Sequence, residues 1–137
     1  MHTTNCFDTF IAVAPDCAAD RGTPPKESDK PSIALLTYRM IRDNPYVFTS
    51  DDVIFTVFAD RKGIAPADRE AARQAYFSKG QACLRASDLG KRYGWGIHAD
   101  AKGRVALYGV ETPEYLAFAG GAGVATITRA MRSSKSA

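Results

Sequence analysis

The chain has 137 residues, 45% of them hydrophobic and 24% charged, with a formal net charge of +3. That length fits one domain, residues 1–137, large enough to bury a real core, and the composition excludes a disordered, collagen-like or coiled-coil chain. Three cysteines are too few, and too odd in number, for a disulfide framework.

Phe7 to Ala14 is rich in β-formers and ends at Pro15, which predicts a first strand over 7–14. Residues 15–30 hold Pro15, Gly22, Pro24 and Pro25 among charged side chains, the composition of a loop. Pro31 suits a helix's first turn, and Ile33, Leu36, Met40 and Ile41 recur at helical spacing. That helix stops at Asn44-Pro45, because the residue before proline is pushed out of the α region. The segment 53–59 reads two ways. Val53, Phe55 and Val57 alternate as in a strand, whereas Asp52, Thr56 and Asp60 fall four apart as on a helix. Ser50 as N-cap, with Asp51 and Asp52 as first-turn acids, favours the helix.

Pro66 opens a further alanine-rich helix through Phe77, broken at Gly80. Residues 93–99 and 104–110 flank Asp100-Ala-Lys-Gly103 and read as a β-hairpin with glycine in the turn. Thr112-Pro113-Glu114 supplies a cap, a first-turn proline and an early acid for a short helix through Phe118. A glycine-rich connector, Gly120 to Gly123, leads to a last strand over 124–131, and residues 132–137 read as a frayed tail. The order predicts an α+β fold, a single domain with an antiparallel β-sheet, a central β-hairpin and about four helices packed mainly on one side.

No charged n-region precedes the short apolar stretch Phe10 to Ala14, so a signal peptide is not expected. The longest uncharged run, Tyr115 to Thr128, is too short and glycine-rich for a membrane span. The expectation is a cytoplasmic protein with reduced cysteines and no membrane partner. Charge is uneven: residues 1–30 carry three basic and five acidic groups, and 67–137 carry eleven and six. This asymmetry suits an anionic partner, and equally a solvated basic face.

The segment 78–98 concentrates the side chains that bind or react. As a binding site for an anionic ligand (nucleotide, nucleic acid or phosphorylated metabolite) it would use Lys79, Gln81, Arg85, Lys91, Arg92, Trp95 and His98, with Tyr93 or Trp95 stacking. Against this, Tyr93, Trp95 and Ile97 share one strand face, more simply a core face, and Gly94, Gly96 and His98 would then point outward. An alternative is a small enzyme using Cys83 as nucleophile or His98 as base, in a pocket lined by Arg85 and Tyr108. It is disfavoured because free cysteines are usually buried and no acidic orienter for His98 is evident, so no catalytic residue is assigned. A third reading is a protein–protein or homo-oligomer module with an exposed apolar patch. Cys6, Cys17 and Cys83, with His2 and His98, lack metal-ligand spacing, and neither metal nor cofactor is expected.

Several stretches resemble a family of small, mainly bacterial proteins, the domain of unknown function 6157. They are Met1-His-Thr-Thr-Asn with Thr9 to Cys17, Asn44-Pro-Tyr, Thr49-Ser-Asp-Asp-Val53, Ser78-Lys-Gly-Gln-x-Cys-Leu-Arg-Ala-Ser87, Lys91-Arg-Tyr-Gly-Trp-Gly-Ile-His98 with Ala106-Leu-Tyr108, and Ala130-Met-Arg-Ser133. Ala82 stands where the family has proline, and Gly120 to Gly123 is peculiar to this chain. The resemblance implies one whole-chain domain and carries no activity, cofactor or catalytic residue.

Overall fold

A computed structural model describes residues 1–133. Its elements in chain order are β1 (Thr9–Ala12), α1 (Ile33–Asp43), α2 (Ser50–Lys62), α3 (Arg69–Tyr76), α4 (Asp88–Lys91), β2 (Trp95–Ala99), β3 (Val105–Gly109), α5 (Pro113–Ala119) and β4 (Thr126–Arg129). Short 3-10 turns cover Pro66–Asp68 and Leu84–Ala86. Four strands form one sheet in the order β3-β2-β1-β4. Pairs β2–β3 and β1–β2 are antiparallel, and β1–β4 is parallel. The hairpin therefore gives one inner strand, β2, and one edge strand, β3. The exception to antiparallel order has a topological cause: α5 carries the chain from β3 back across the sheet, and a helical crossover returns a strand in the same direction. The tail anticipated at 132–137 lies, from residue 134 onward, outside the described residues.

Local chemistry sets the helix ends. Ser32 caps α1, its side chain accepting from Leu35 N, so Pro31 sits just before the cap and not in the first turn. Segment 53–59 is helical, within α2. The cap is Thr49, in a capping box in which Thr49 and Asp52 each accept the other's backbone N–H, and Ser50 falls inside the helix. Pro66 opens a 3-10 turn, and the α-helix starts only at Arg69. Thr112 caps α5 with Pro113 in its first turn.

Both faces of the sheet are covered. Ile11, Ile97, Ala99 and Val105 pack with Ile41 of α1, Val53 of α2 and Leu84 in one core. On the other face Phe10 and Ala12 pack with Tyr115 of α5, backed by Tyr108 and Phe118. This second layer corrects the expectation that Gly96 and His98 point to solvent. Gly96 is buried because a Cβ there would meet the Phe10 and Tyr115 rings at 2.5 and 2.7 Å, so glycine lets α5 lie down on the strand. Trp95, half-buried, packs against Tyr38 of α1 with ring centroids 5.5 Å apart and gives its indole N–H to Thr23 O. It thereby pins the irregular stretch 15–30, which also runs against Gly94, where φ is +80°.

The N-terminal arm is fastened by α2. The Asp51 carboxylate, buried at the start of that helix, accepts from Thr3 Oγ1 at 2.6 Å and from Thr4 N and Oγ1 at 2.7 Å each. Asn5 Oδ1 accepts in return from Asp51 N. Asp51 is thus a structural clamp.

Candidate functional site

α2 is apolar on more than one side. Val53, Phe55, Val57 and Ala59 are buried in the cores. Ile54 and Phe58, four apart and so stacked along the helix, are only half-buried, and Arg61 and Lys62 follow one turn later. Beside the polar stripe of Asp52, Thr56 and Asp60, this second apolar row needs cover of its own. On this second side the cover is incomplete, leaving a groove of about 310 Å³. Its apolar walls are Ile33 of α1, Ile54, Val57 and Phe58 of α2, Tyr76 of α3 and Leu84. The Phe58 and Tyr76 rings meet at 4.4 Å. The remaining wall is the run 81–87, fastened where Gln81 Nε2 donates to Tyr76 O at 2.8 Å. Cys83 and Ser87 line it too, and Ser87 caps α4.

Arg61 and Lys62 border the groove and are exposed, and neither forms an ion pair among the described residues. An apolar trough ending at two unneutralised cations suits a small anion with an apolar body.

A second polar cluster lies on the opposite face of the sheet. Residues 46–48 run along the outer edge of β3, Tyr46 N donating to Val105 O and Val105 N to Phe48 O at 2.9 Å each. Tyr46 has φ +59°, a left-handed conformation that is strained for an aromatic residue. This carries its ring around the edge to His98. Tyr46 OH lies 2.8 Å from His98 Nδ1 and 2.7 Å from Tyr108 OH, and the imidazole stacks on Phe118 at 4.1 Å. His98 is buried, and its Nε2 has no hydrogen-bond partner among the described residues. Burial pulls the imidazole pKa below its ordinary value, outweighing Asp100 and Asp8, which favour the charged form. Burial, then the bond to Tyr108, pushes the Tyr46 phenol well above its usual value. Both groups are held neutral near pH 7. The cluster is a hydrogen-bonded strut in which half-buried Tyr46 and Tyr108 meet the buried His98.

The seven residues singled out in the sequence are dispersed by the fold. Gln81 lines the groove. Arg85 Nε donates to Arg129 O at 2.7 Å, capping part of the outer edge of β4. Arg92 lies 3.7 Å from Asp88 at the end of α4, Lys91 is half-buried beside it, and Lys79 is exposed in the loop after α3. Trp95 packs among Tyr38 and Leu89, as the core reading holds. His98 is on the far side of the sheet from Cys83: Cys83 borders a cavity with Thr9 and Ile11, whereas His98 lies beside Phe10, which alternates with them. The two cannot act as a nucleophile–base pair.

Sequence reasoning missed Arg61, Lys62, Ile54, Phe58 and Tyr46. The signal for the first four was present: an i, i+4, i+7, i+8 row on a helix already supplied with a core face. Tyr46 was marked only by the adjacent proline and by its place in the Asn44-Pro-Tyr stretch, neither of which shows where its ring goes. No curated protein and no solved structure matches the chain. The sequence model of DUF6157, a family of unknown function, matches residues 1–136, and the chain belongs to that family.

Proposed function

We propose that the protein is a binding module for a small amphipathic anion, held in the groove between α1, α2, α3 and the run 81–87. The observation that carries this reading is the pairing of an apolar trough of about 310 Å³ with Arg61 and Lys62 at its border. That volume is at the lower end of the range for small-molecule pockets, roughly 300–1,000 Å³. It suits a medium-chain carboxylate or an alkyl phosphate better than a nucleic acid, which needs a string of cations. The apolar body would lie on Ile54, Phe58 and Tyr76. The charged head would meet Arg61 and Lys62, and the Gln81 side chain, whose amide nitrogen is already engaged, offers its oxygen to a donor on the ligand. The three cysteines are free, which supports the reading of a cytoplasmic setting. No helix among the described residues is long and apolar enough to cross a membrane.

Thermal unfolding with octanoate, octyl phosphate and neutral octanol tests the reading. A ligand at 100 times its dissociation constant stabilises by about 2.7 kcal/mol, several degrees for a domain this size. Octanoate or octyl phosphate is expected to raise the midpoint in the wild type, less so at high salt. The gain should be lost in Arg61→Ser/Lys62→Ser and in Ile33→Trp, which fills the groove. No shift with either anion, or an equal shift with octanol in wild type and double variant, would exclude an anion site here.

A further inference from the structure

Behind the 81–87 wall lies a second, smaller cavity of about 70 Å³, lined by Thr4, Cys6, Thr9, Ile11, Ser50, Cys83, Leu84, Arg85 and Thr128. It holds two thiols from segments far apart in sequence, Cys6 from the N-terminal arm and Cys83 from the run before the 3-10 turn. Both cysteines are half-buried. They are near enough for their charges to act on each other: the Cys6 thiol is pushed above its ordinary value first by burial and then by Cys83, with a hydrogen bond to Thr9 opposing. Cys83 belongs to both spaces, bordering the outer groove as well as the inner cavity. Neither cysteine is in a helix or strand, so the backbone on both sides can make the small adjustments that disulfide geometry demands.

We propose that Cys6 and Cys83 are an oxidisable pair that closes to a disulfide when the protein meets a peroxide. The roles follow from the surroundings. Cys83 is the thiol that borders the outer groove as well as the inner cavity, so a peroxide entering the groove meets it first. Its sulfur attacks the peroxide O–O bond, forming a sulfenic acid and releasing one water. Cys6, which borders only the inner cavity, then attacks the Cys83 sulfur, the S–S bond forms, and the sulfenic hydroxyl departs as a second water. Two thiols have lost two electrons and two protons, and one peroxide has become two waters. The bond would tie the N-terminal arm to the groove wall. It does not depend on what the groove binds.

Trypsin places Cys6 and Cys17 on one peptide, 1–21, and Cys83 on another, 80–85, so Cys17→Ser makes the assignment unique. The full-length Cys17→Ser protein is treated with hydrogen peroxide, digested without reductant and analysed by mass spectrometry. The expected result is the 1–21 peptide joined to 80–85 with loss of two hydrogens. The link should disappear with dithiothreitol and be absent in Cys6→Ser and Cys83→Ser. The proposal is overturned if both thiols remain free to maleimide, or if Cys83 proceeds to sulfinic acid unlinked. A 1–21 to 80–85 link that persists in Cys6→Ser, through Cys17, overturns it too. Because the readout is the covalent link, a negative ligand screen on the groove leaves this result standing, and the reverse also holds.

Discussion

At His98 the imidazole has one partnered nitrogen and one without a partner. Nδ1 meets the Tyr46 hydroxyl at 2.8 Å, and Nε2 is buried with no partner among the described residues. Protonation would place a charge in that buried space with no partner for the Nε2 proton, and burial accordingly pulls the pKa below the ordinary 6.5. The sign of the pH dependence follows. Below about 6.5 the unfolded chain takes up a proton that the folded protein refuses, so stability drops as the pH falls from 6.5 toward the depressed folded value, then levels off. Asp8 and Asp100 face the same histidine and moderate the effect. Urea unfolding at pH 7 and at pH 5.5 should show the lower stability at pH 5.5, and His98→Gln should remove most of that difference. An unchanged difference in the variant would place the titrating group elsewhere. Of this cluster the sequence pointed to His98 and Tyr108 and missed Tyr46, which joins them. The contact of His98 to Tyr46 spans 52 positions and depends on a left-handed backbone that no local pattern announces.

Among the elements, those with strong local chemistry were legible. α5 and the hairpin follow from Thr112 and the turn glycine as read, whereas α1 and α2 were legible as helices but are capped by Ser32 and Thr49, one residue from the Pro31 first turn and Ser50 cap the sequence suggested. The strand alternation of Val53, Phe55 and Val57 misleads because α2 buries several sides at once. The parallel β1–β4 pair was implicit in a strand, helix, strand order from β3 through α5 to β4, but an adjacent hairpin suggested antiparallel pairing throughout. The 3-10 turn at Leu84–Ala86 and the four-residue α4 are too short for periodicity to reveal. The N-terminal arm is the element whose attachment is most exposed to a single change. Asp51 is a buried charged acceptor for three donors from Thr3 and Thr4, and losing a charged partner strands those groups. Asp51→Ala should cost about 3 kcal/mol. Amide exchange at residues 3–5 should rise well beyond that of β1. A stability loss under about 0.5 kcal/mol, the ordinary range for a surface change, would show that the arm is not held by this clamp.

At the scale of the whole molecule, the sheet divides two chemical regions that the sequence runs together. Segment 78–98 looks like one site because its polar residues are neighbours in the chain. The fold sends Gln81 and Cys83 to one side and His98 to the other, and Arg85 and Arg92 to backbone and carboxylate partners. What remains accessible is the groove, whose cations come from α2 and whose walls come from three helices and the 81–87 run. The most direct measurement is a ¹H–¹⁵N NMR titration of the full chain with octanoate. Saturable shifts concentrated at residues 54–62 and 81–87, and absent in Arg61→Ser/Lys62→Ser, are predicted. Perturbations confined to the His98 face, or none at all, would contradict the assignment of this groove as the binding site.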